Sequence, residues 1–157
     1  MTTDLATLEK TKKLSIRCPY CVRDGEYELP DLQGRYSFSC TRCTKPFMTK
    51  VMVVRAKSGR QNKKEDQREL KLRGKYPDGR EDHIILVKAG TEDIEARSGD
   101  LIAMSYRIES GKAVLPVVLY NYNIGKHWFI TAPGGCGCAA AVMLVVLATA
   151  SAVFLTA

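Results

Sequence analysis

Short segments in which apolar and polar residues alternate, separated by clusters of turn residues, run along the chain from residue 26 to residue 131. A period of two residues is typical of a β-strand with one buried face. The pattern predicts strands at 26–29, 35–39 and 47–55, and then at 69–73, 83–89, 101–108, 113–122 and 127–131. We therefore expect a mainly β protein.

The last five of these strands are joined by tight turns such as Tyr76-Pro-Asp-Gly79 and Arg97-Ser-Gly-Asp100. Many short strands with close turns indicate a small antiparallel β-barrel or sandwich, which we assign to residues 68–131. The strands at 26–29 and 35–39 flank a turn-rich segment and are expected to form a hairpin. Residues 57–67 contain no apolar side chain, and this stretch is interpreted as a polar linker.

The hydrophobic pattern changes completely at the C-terminal end. Residues 139–157 are 19 residues without a charge, long enough as a helix of about 28 Å to cross the hydrocarbon core of a bilayer. A buried helix of a soluble domain normally keeps a polar stripe, which this segment lacks apart from Ser and Thr. We expect one transmembrane helix, in which Ala148 and Ala152 form a pair of small residues that suits helix packing.

Residues 132–138 are expected to be a Gly/Cys hinge before this helix. Cys136 and Cys138 would lie at the bilayer surface, where acylation is a weak alternative to an unmodified pair of small residues. Lys126 and His127 precede the span, and basic residues on that side favour residues 1–127 in the cytoplasm. The N-terminal residues 1–13, expected to be an arm, show no apolar core of a signal peptide, which agrees with a single-pass C-terminal anchor.

Charge divides the rest of the chain. All 24 basic and 17 acidic residues lie before Trp128; residues 1–64 hold 14 basic and 6 acidic side chains, whereas residues 65–127 hold 10 and 11. The N-terminal part is therefore basic. A possible basic binding face for nucleic acid or anionic lipid comprises Lys10, Lys12, Lys13, Arg17, Arg23, Arg35 and Arg42.

The clearest chemical signal is a pair of Cys-x-x-Cys motifs, Cys18-Pro-Tyr-Cys21 and Cys40-Thr-Arg-Cys43. Two such pairs separated by 18 residues suit a tetrahedral site of four thiolates. Such a closed set leaves no coordination position for water, so the expected cofactor is a structural Zn²⁺ ion. An iron site of the rubredoxin type uses the same ligands, and iron remains an alternative.

Residues 14–55 resemble the zinc-ribbon superfamily, in particular short bacterial zinc ribbons, and we assign residues 14–56 to this module. The resemblance rests on Ile16, Cys18, Pro19, Cys21, Tyr27, Pro30, Cys40, Cys43 and Phe47. It implies two zinc knuckles on two hairpins. Val22 and Thr44 stand where those ribbons usually have glycine, which puts strain on the knuckles without changing the ligands. The tetrapeptide Cys-Pro-Tyr-Cys also matches the glutaredoxin active site, but the turn Val-Arg-Asp-Gly follows it where that fold needs a helix.

No catalytic motif accompanies these features. The chain has two histidines, no nucleophile elbow, no phosphate-binding loop and no His-Glu-x-x-His motif, so we do not expect an enzyme or identify a small-molecule substrate. The expected function is that of a non-catalytic, membrane-anchored zinc-ribbon protein. It would act as a binding or assembly subunit of a membrane complex, with other membrane-protein subunits as partners. The alternative is a nucleic-acid-binding zinc ribbon tethered to the membrane.

Overall fold

The computed structural model describes residues 12–62, 64–89 and 92–131. The described residues form β1 (Lys13–Arg17), β2 (Asp24–Glu28), β3 (Gly34–Ser39), β4 (Pro46–Asn62), β5 (Gln67–Lys75), β6 (Glu81–Ala89), β7 (Leu101–Glu109), β8 (Lys112–Asn121) and β9 (Lys126–Phe129). The expectation of a mainly β protein is confirmed. Within the described ranges there is no helix long and apolar enough to cross a membrane. The predicted arm at 1–13 except its last two residues, the hinge at 132–138 and the span at 139–157 lie outside these ranges.

The strands form two antiparallel sheets. Strands β1 and β2 make a two-stranded sheet, and the other seven make a sheet of order β6-β5-β4-β7-β8-β9 in which β3 also pairs with β4. The larger sheet is curled into a half-barrel. All five strands that the sequence predicts after residue 67 are present, each within a few residues of its expected bounds.

The long strand β4 joins the two parts of the molecule. Its first half pairs with β3 at residues 46–51 and with β7 at residues 47–53, and its second half pairs with β5 at residues 54–62. A register shift between Val54 and Ala56 interrupts the β4–β5 ladder, and such an irregularity bends a strand. One strand therefore carries both the cysteine-bearing hairpin and the half-barrel.

The expectation of a polar linker at 57–67 is wrong. Residues 57–62 belong to β4, and Gln67 begins β5 after a turn that includes residues 64–66. Residues 58–62 are all exposed, so this end of the strand has no buried face and no alternation of polarity. Backbone hydrogen bonding to β5, with pairs such as Arg60 opposite Glu69, holds the strand where apolar burial does not.

The pairing of β2 and β3 also differs from expectation. They do not form a hairpin with each other, because β2 pairs with β1 and β3 pairs with β4. Each Cys-x-x-Cys motif thus occupies the turn of its own hairpin. This arrangement is the one that the resemblance to zinc ribbons implies.

Two clusters of buried side chains stabilise the fold. One lies inside the half-barrel and includes Leu70, Leu72, Ile84, Leu86, Ile102, Met104 and Trp128. The other lies under the cysteine hairpins and includes Leu14, Ile16, Phe47, Val51, Leu101 and Tyr122. The second cluster combines residues of β1 with residues of β4 and β7 and with Tyr122, which follows β8. The β1–β2 hairpin therefore packs onto the half-barrel, whereas β3 and β4 belong to the half-barrel's own sheet.

An extended segment, residues 92–97, contributes to the interior of the half-barrel. Ile94 is fully buried there and Ala96 nearly so. Neighbouring carboxylates tie the segment to strands on either side: Asp93 pairs with Lys57 of β4, and Glu95 pairs with Lys126 of β9. These links, although partly exposed and individually weak, fix the segment across the sheet.

Candidate metal centre

The four cysteines of the two motifs meet at one point. Cys18 follows β1, Cys21 precedes β2, Cys40 follows β3 and Cys43 precedes β4. Their Sγ atoms all lie within 4.8 Å of one another, with separations of 3.7 Å between Cys18 and Cys43 and 3.6 Å between Cys21 and Cys40. The predicted ligand set is therefore brought together, and it could hold a metal ion such as zinc.

The separations fit a tetrahedral site. Zinc–sulfur bonds of about 2.3 Å place the sulfurs of a regular tetrahedron about 3.8 Å apart. The two short separations of 3.7 and 3.6 Å agree with that edge length. Cys18 and Cys40 are buried and free of disulfides, while Cys21 and Cys43 are half-buried, so water has limited access to the sulfurs.

Identical backbone hydrogen bonds shape the two turns. In the first, the N–H of Cys18 donates to the carbonyl of Arg23 and the N–H of Val22 donates to the carbonyl of Cys18. In the second turn, the N–H of Cys40 donates to the carbonyl of Lys45 and the N–H of Thr44 donates to the carbonyl of Cys40. Each turn thereby aims its two sulfurs inward in the same way, which explains why a spacing of two residues suits a shared metal.

Backbone N–H groups also face the sulfurs. The N–H of Tyr20 donates to Sγ of Cys18, and the N–H of Arg42 donates to Sγ of Cys40, each at 3.4 Å. Burial raises the pKa of Cys18. At Cys40 burial opposes ionisation, but N–H groups of Cys43 and Arg42 prevail and lower its pKa to about 7. These donors stabilise the negative charge that thiolate ligands carry.

The two positions without the usual glycine have a left-handed backbone. Val22 and Thr44 both have φ of 61°. This region is favourable for glycine and costly for β-branched residues, because their side chains crowd the backbone. The resemblance to zinc ribbons implied strain at these two positions, and both turns have the left-handed backbone that produces it. The two turns nevertheless keep the same hydrogen bonds around their cysteines.

Replacing Thr44 by Gly is expected to raise the free energy of unfolding by about 1 kcal/mol. Relief of the left-handed strain, about 1–2 kcal/mol, exceeds the added chain entropy of glycine, about 0.4–1 kcal/mol. Thermal unfolding of the metal-loaded protein measures the change. Thr41→Gly is the matched control: Thr41 is exposed in the same turn without a positive φ, so glycine there should destabilise. If Thr44→Gly and Thr41→Gly lose the same free energy of unfolding, the left-handed backbone at Thr44 is not strained.

The first cysteine turn docks onto β7. The N–H of Ile108 donates to the Tyr20 hydroxyl at 3.1 Å, and Nε of Arg107 donates to the carbonyl of Pro19 at 3.2 Å. The guanidinium of Arg107 also lies 5.5 Å from the centre of the Tyr20 ring. Further from the sulfurs, the Tyr122 hydroxyl donates to the carbonyl of Ser15. The metal centre is thus anchored to the half-barrel through side chains that the sequence pattern did not single out.

Much of the predicted basic face is engaged in internal contacts. Lys13 pairs with Glu28, Arg17 with Asp24, and Arg35 with Asp82, while Lys12 donates to the carbonyl of Pro30. Arg17 also contacts the His127 ring at 2.7 Å. Burial, and then the Arg17 charge, lower the pKa of His127. Arg23 and Arg42 are exposed beside the cysteine turns and have no ion pair among the described residues; Lys10 lies outside those residues.

A charged cluster that sequence reasoning missed lies where the first half of β4 meets the start of β6. The Asp82 carboxylate accepts hydrogen bonds from Lys50, Arg35 and the Tyr76 hydroxyl at 2.8–3.0 Å. Asp82 and Lys50 are each 8% exposed. Burial alone would raise the pKa of Asp82, but these donors hold it well below its usual range, and burial with the Asp82 bond raises the pKa of Tyr76 to about 12.

The sequence did contain a signal for this cluster. Asp82 has the same parity as Ile84 and Leu86, which face the core of the half-barrel, so the period of two residues places its carboxylate inward. Such a residue needs a buried cation, and Lys50 interrupts the apolar run from Phe47 to Val54. Adjacent Glu81 has the opposite parity and is exposed.

Comparison with known proteins supplies no identity: no protein-family model, no curated protein and no solved structure matches this chain. The geometry of the four sulfurs therefore carries the interpretation of the site.

Proposed function

We propose that Cys18, Cys21, Cys40 and Cys43 hold a structural zinc ion and that residues 14–56 are a zinc ribbon. Two observations support this proposal: the sulfur separations fit a tetrahedron, and the paired turns share one hydrogen-bonding pattern. When bound, zinc supplies a cross-link between the two hairpins. The protein's own residues contribute N–H donors to the sulfurs and an attachment to β7 through Tyr20.

We further propose that the protein is a non-catalytic binding or assembly subunit of a membrane complex. Residues 139–157 would anchor it, with residues 1–127 on the cytoplasmic side. The observation that carries the non-catalytic role is the closed set of four sulfurs, because a structural site of this kind has no open position for substrate. The uncharged sequence of residues 139–157 supports the anchor.

Nucleic-acid binding is the second candidate function. Arg23 and Arg42, exposed and without ion pairs among the described residues, favour it. Against it, Lys13, Arg17 and Arg35 are occupied by carboxylates, so the N-terminal basic face offers a polyanion fewer free cations than its sequence suggests. Membrane-bound assembly remains the better supported proposal.

The anchor is tested by placing charge in the apolar segment. The intact protein is expected to stay in membranes through alkaline carbonate extraction and to co-purify with other membrane proteins after solubilisation in detergent. Val145→Arg/Leu147→Arg should release it, because each arginine near the centre of a span costs about 2.5–3.5 kcal/mol. Val145→Ile/Leu147→Ile is the matched control. Extraction of the unaltered protein by carbonate would reject the anchor.

A further inference from the structure

The sheet of β4, β5 and β6 has a basic outer face. Alternate residues of β5, Lys71, Arg73 and Lys75, are exposed, whereas Leu70, Leu72 and Gly74 between them are buried. The strand register places Lys71 beside Ile85 and Arg73 beside His83 of β6, and Glu69 beside Arg60 of β4. On this side of the three strands, we call the exposed charged side chains, His83 and the two exposed aliphatic side chains the outer sheet face. Its members are Arg55, Arg60, Glu69, Lys71, Arg73, Lys75, Glu81, His83, Ile85 and Val87.

The cations of the outer sheet face are free of internal partners. Among the described residues, none of its five basic side chains forms an ion pair, and only two carboxylates share the face with them. By contrast, Lys57, Arg68 and Lys88 of the same strands pair with Asp93 or Glu92. Since alternate residues of a strand lie about 6.8 Å apart, Lys71, Arg73 and Lys75 form a row of positive charge along β5.

Aliphatic side chains lie next to this row. Ile85 and Val87 of β6 are 52% and 50% exposed, two of the four large hydrophobic residues that are exposed among the described residues. They are neighbours on one face of β6, which is an edge strand of the larger sheet. The exposed positions of β5 and β6 include no Phe, Tyr or Trp. The face thus combines free cations with aliphatic groups, and His83 is the single aromatic side chain among the residues that define it.

A shallow depression marks one end of the row. It has a volume of about 180 Å³ and is lined by Arg55, Ala56, Arg73, Gly74, Lys75 and Glu81. Three cations around a space of this size suit a phosphate group.

We propose that the outer sheet face docks on an anionic lipid surface. Each lysine or arginine near such a surface contributes about 1 kcal/mol, and Ile85 and Val87 add aliphatic groups that enter the boundary between head groups and acyl chains. Proteins that bind single-stranded nucleic acid combine a basic groove with several aromatic rings, whereas this face offers no Phe, Tyr or Trp and only the His83 imidazole. The proposal rests on the membrane location proposed above and specifies how the folded part would lie against the bilayer.

A tryptophan at position 85 reports contact with lipid. In the full-length Ile85→Trp variant, tryptophan emission should shift to the blue in vesicles of phosphatidylcholine with phosphatidylserine, relative to vesicles of phosphatidylcholine alone. Trp128, the only natural tryptophan, is 3% exposed and gives a constant background. Val114→Trp is the matched control, since Val114 is also 52% exposed but lies on β8. Its emission should be the same in both kinds of vesicle.

Charge removal tests the basic row. Combined with Ile85→Trp, the changes Lys71→Gln/Arg73→Gln/Lys75→Gln should abolish the shift or raise at least tenfold the concentration of phosphatidylserine-containing vesicles needed for it. Arg23→Gln/Arg42→Gln/Lys45→Gln removes the same charge near the cysteine turns and should leave the shift unchanged. Salt at about 1 M, where the Debye length is about 3 Å, should weaken the shift as well.

Three outcomes would overturn the docking surface: an equal shift in both kinds of vesicle, an equal shift at Val114→Trp, or an unchanged shift in the Lys71/Arg73/Lys75 variant. Single-stranded RNA that shifts the emission in the absence of vesicles, with the same dependence on these three residues, would replace lipid by nucleic acid. Carbonate extraction separates this test from that of the anchor. A protein that is extracted yet shifts only with anionic vesicles would refute the anchor and retain the face.

Discussion

Cys40→Ser is expected to abolish tight metal binding and to unfold the β1–β2 hairpin and β3. The apparent free energy of binding of a structural zinc site is about 10–16 kcal/mol at neutral pH, comparable with the whole stability of a small domain. Removing one thiolate ligand lowers the free energy of zinc binding, and therefore the free energy of unfolding, by a large part of this amount. Strands β1 and β2 form a separate two-stranded sheet, so side-chain contacts, and not a strand ladder, hold them to the half-barrel.

The half-barrel should outlast the metal centre in this variant. Its interior cluster, which contains Leu70, Leu72, Ile84 and Leu86, includes no cysteine. The cluster below the hairpins contains Cys18 and Cys40 themselves. Metal analysis together with amide hydrogen exchange distinguishes the two regions: protection should vanish at Leu14 and Ile16 and persist at Leu70 and Leu72.

Cys136→Ser/Cys138→Ser is the matched cysteine control. These two residues are not among the four clustered cysteines, so the variant should keep one metal ion per chain and full protection of β1. Metal analysis also decides between zinc and iron. Unaltered protein that contains neither metal, yet protects Leu14 and Ile16, would show that the four sulfurs are not a metal centre.

The cluster of four cysteines was predictable because its information is local. Each Cys-x-x-Cys pair specifies a turn that aims two sulfurs inward, and the two turns need only meet. Strand positions were predictable for a related reason. In β5 and β6, buried residues such as Leu70, Leu72, Ile84 and Leu86 alternate with exposed residues, and this period of two indicates a strand with one buried face.

Strand pairing could not be predicted in the same way. The segments at 26–29 and 35–39 are neighbours in sequence, but the cysteine turns direct β2 to β1 and β3 to β4. The far end of β4 escaped prediction because residues 58–62 are exposed on both sides, and backbone hydrogen bonds leave no mark on polarity. The inward parity of Asp82 marks a buried charge but does not identify its partners. Lys50 of β4 and Arg35 of β3 lie 32 and 47 residues away in the sequence, so no local pattern joins these side chains.

Asp82→Asn is expected to lower the free energy of unfolding by about 3–5 kcal/mol, the usual cost of leaving one partner of a buried ion pair alone. Asparagine keeps the shape of the side chain but removes its charge, so the buried Lys50 ammonium loses its counter-ion. Arg35 contributes less to this loss, because its side chain is 60% exposed and water can replace the carboxylate. Urea denaturation at neutral pH measures the difference.

The pH dependence follows from the direction of the Asp82 shift. Its pKa is lowered in the folded protein, so its contribution is complete above the unfolded value of about 3.9 and is lost as the pH falls towards the folded value. The difference between the unaltered protein and Asp82→Asn should therefore shrink below about pH 4. A difference that stays constant as the pH falls from 6 to 3 would mean that packing, and not charge, is responsible.

Two further variants isolate the buried pair from surface charge. Asp78→Asn removes a carboxylate that pairs with Arg80 in an exposed turn, and its stability should be almost unchanged. Lys50→Met/Asp82→Asn removes the buried cation as well, so it should recover much of the stability that Asp82→Asn loses, because no ammonium is then left without a counter-ion. A double variant that instead loses as much free energy of unfolding as Lys50→Met and Asp82→Asn lose in sum would show that Lys50 and Asp82 are not energetically coupled. The stabilising role of the cluster at the start of β6 is then refuted.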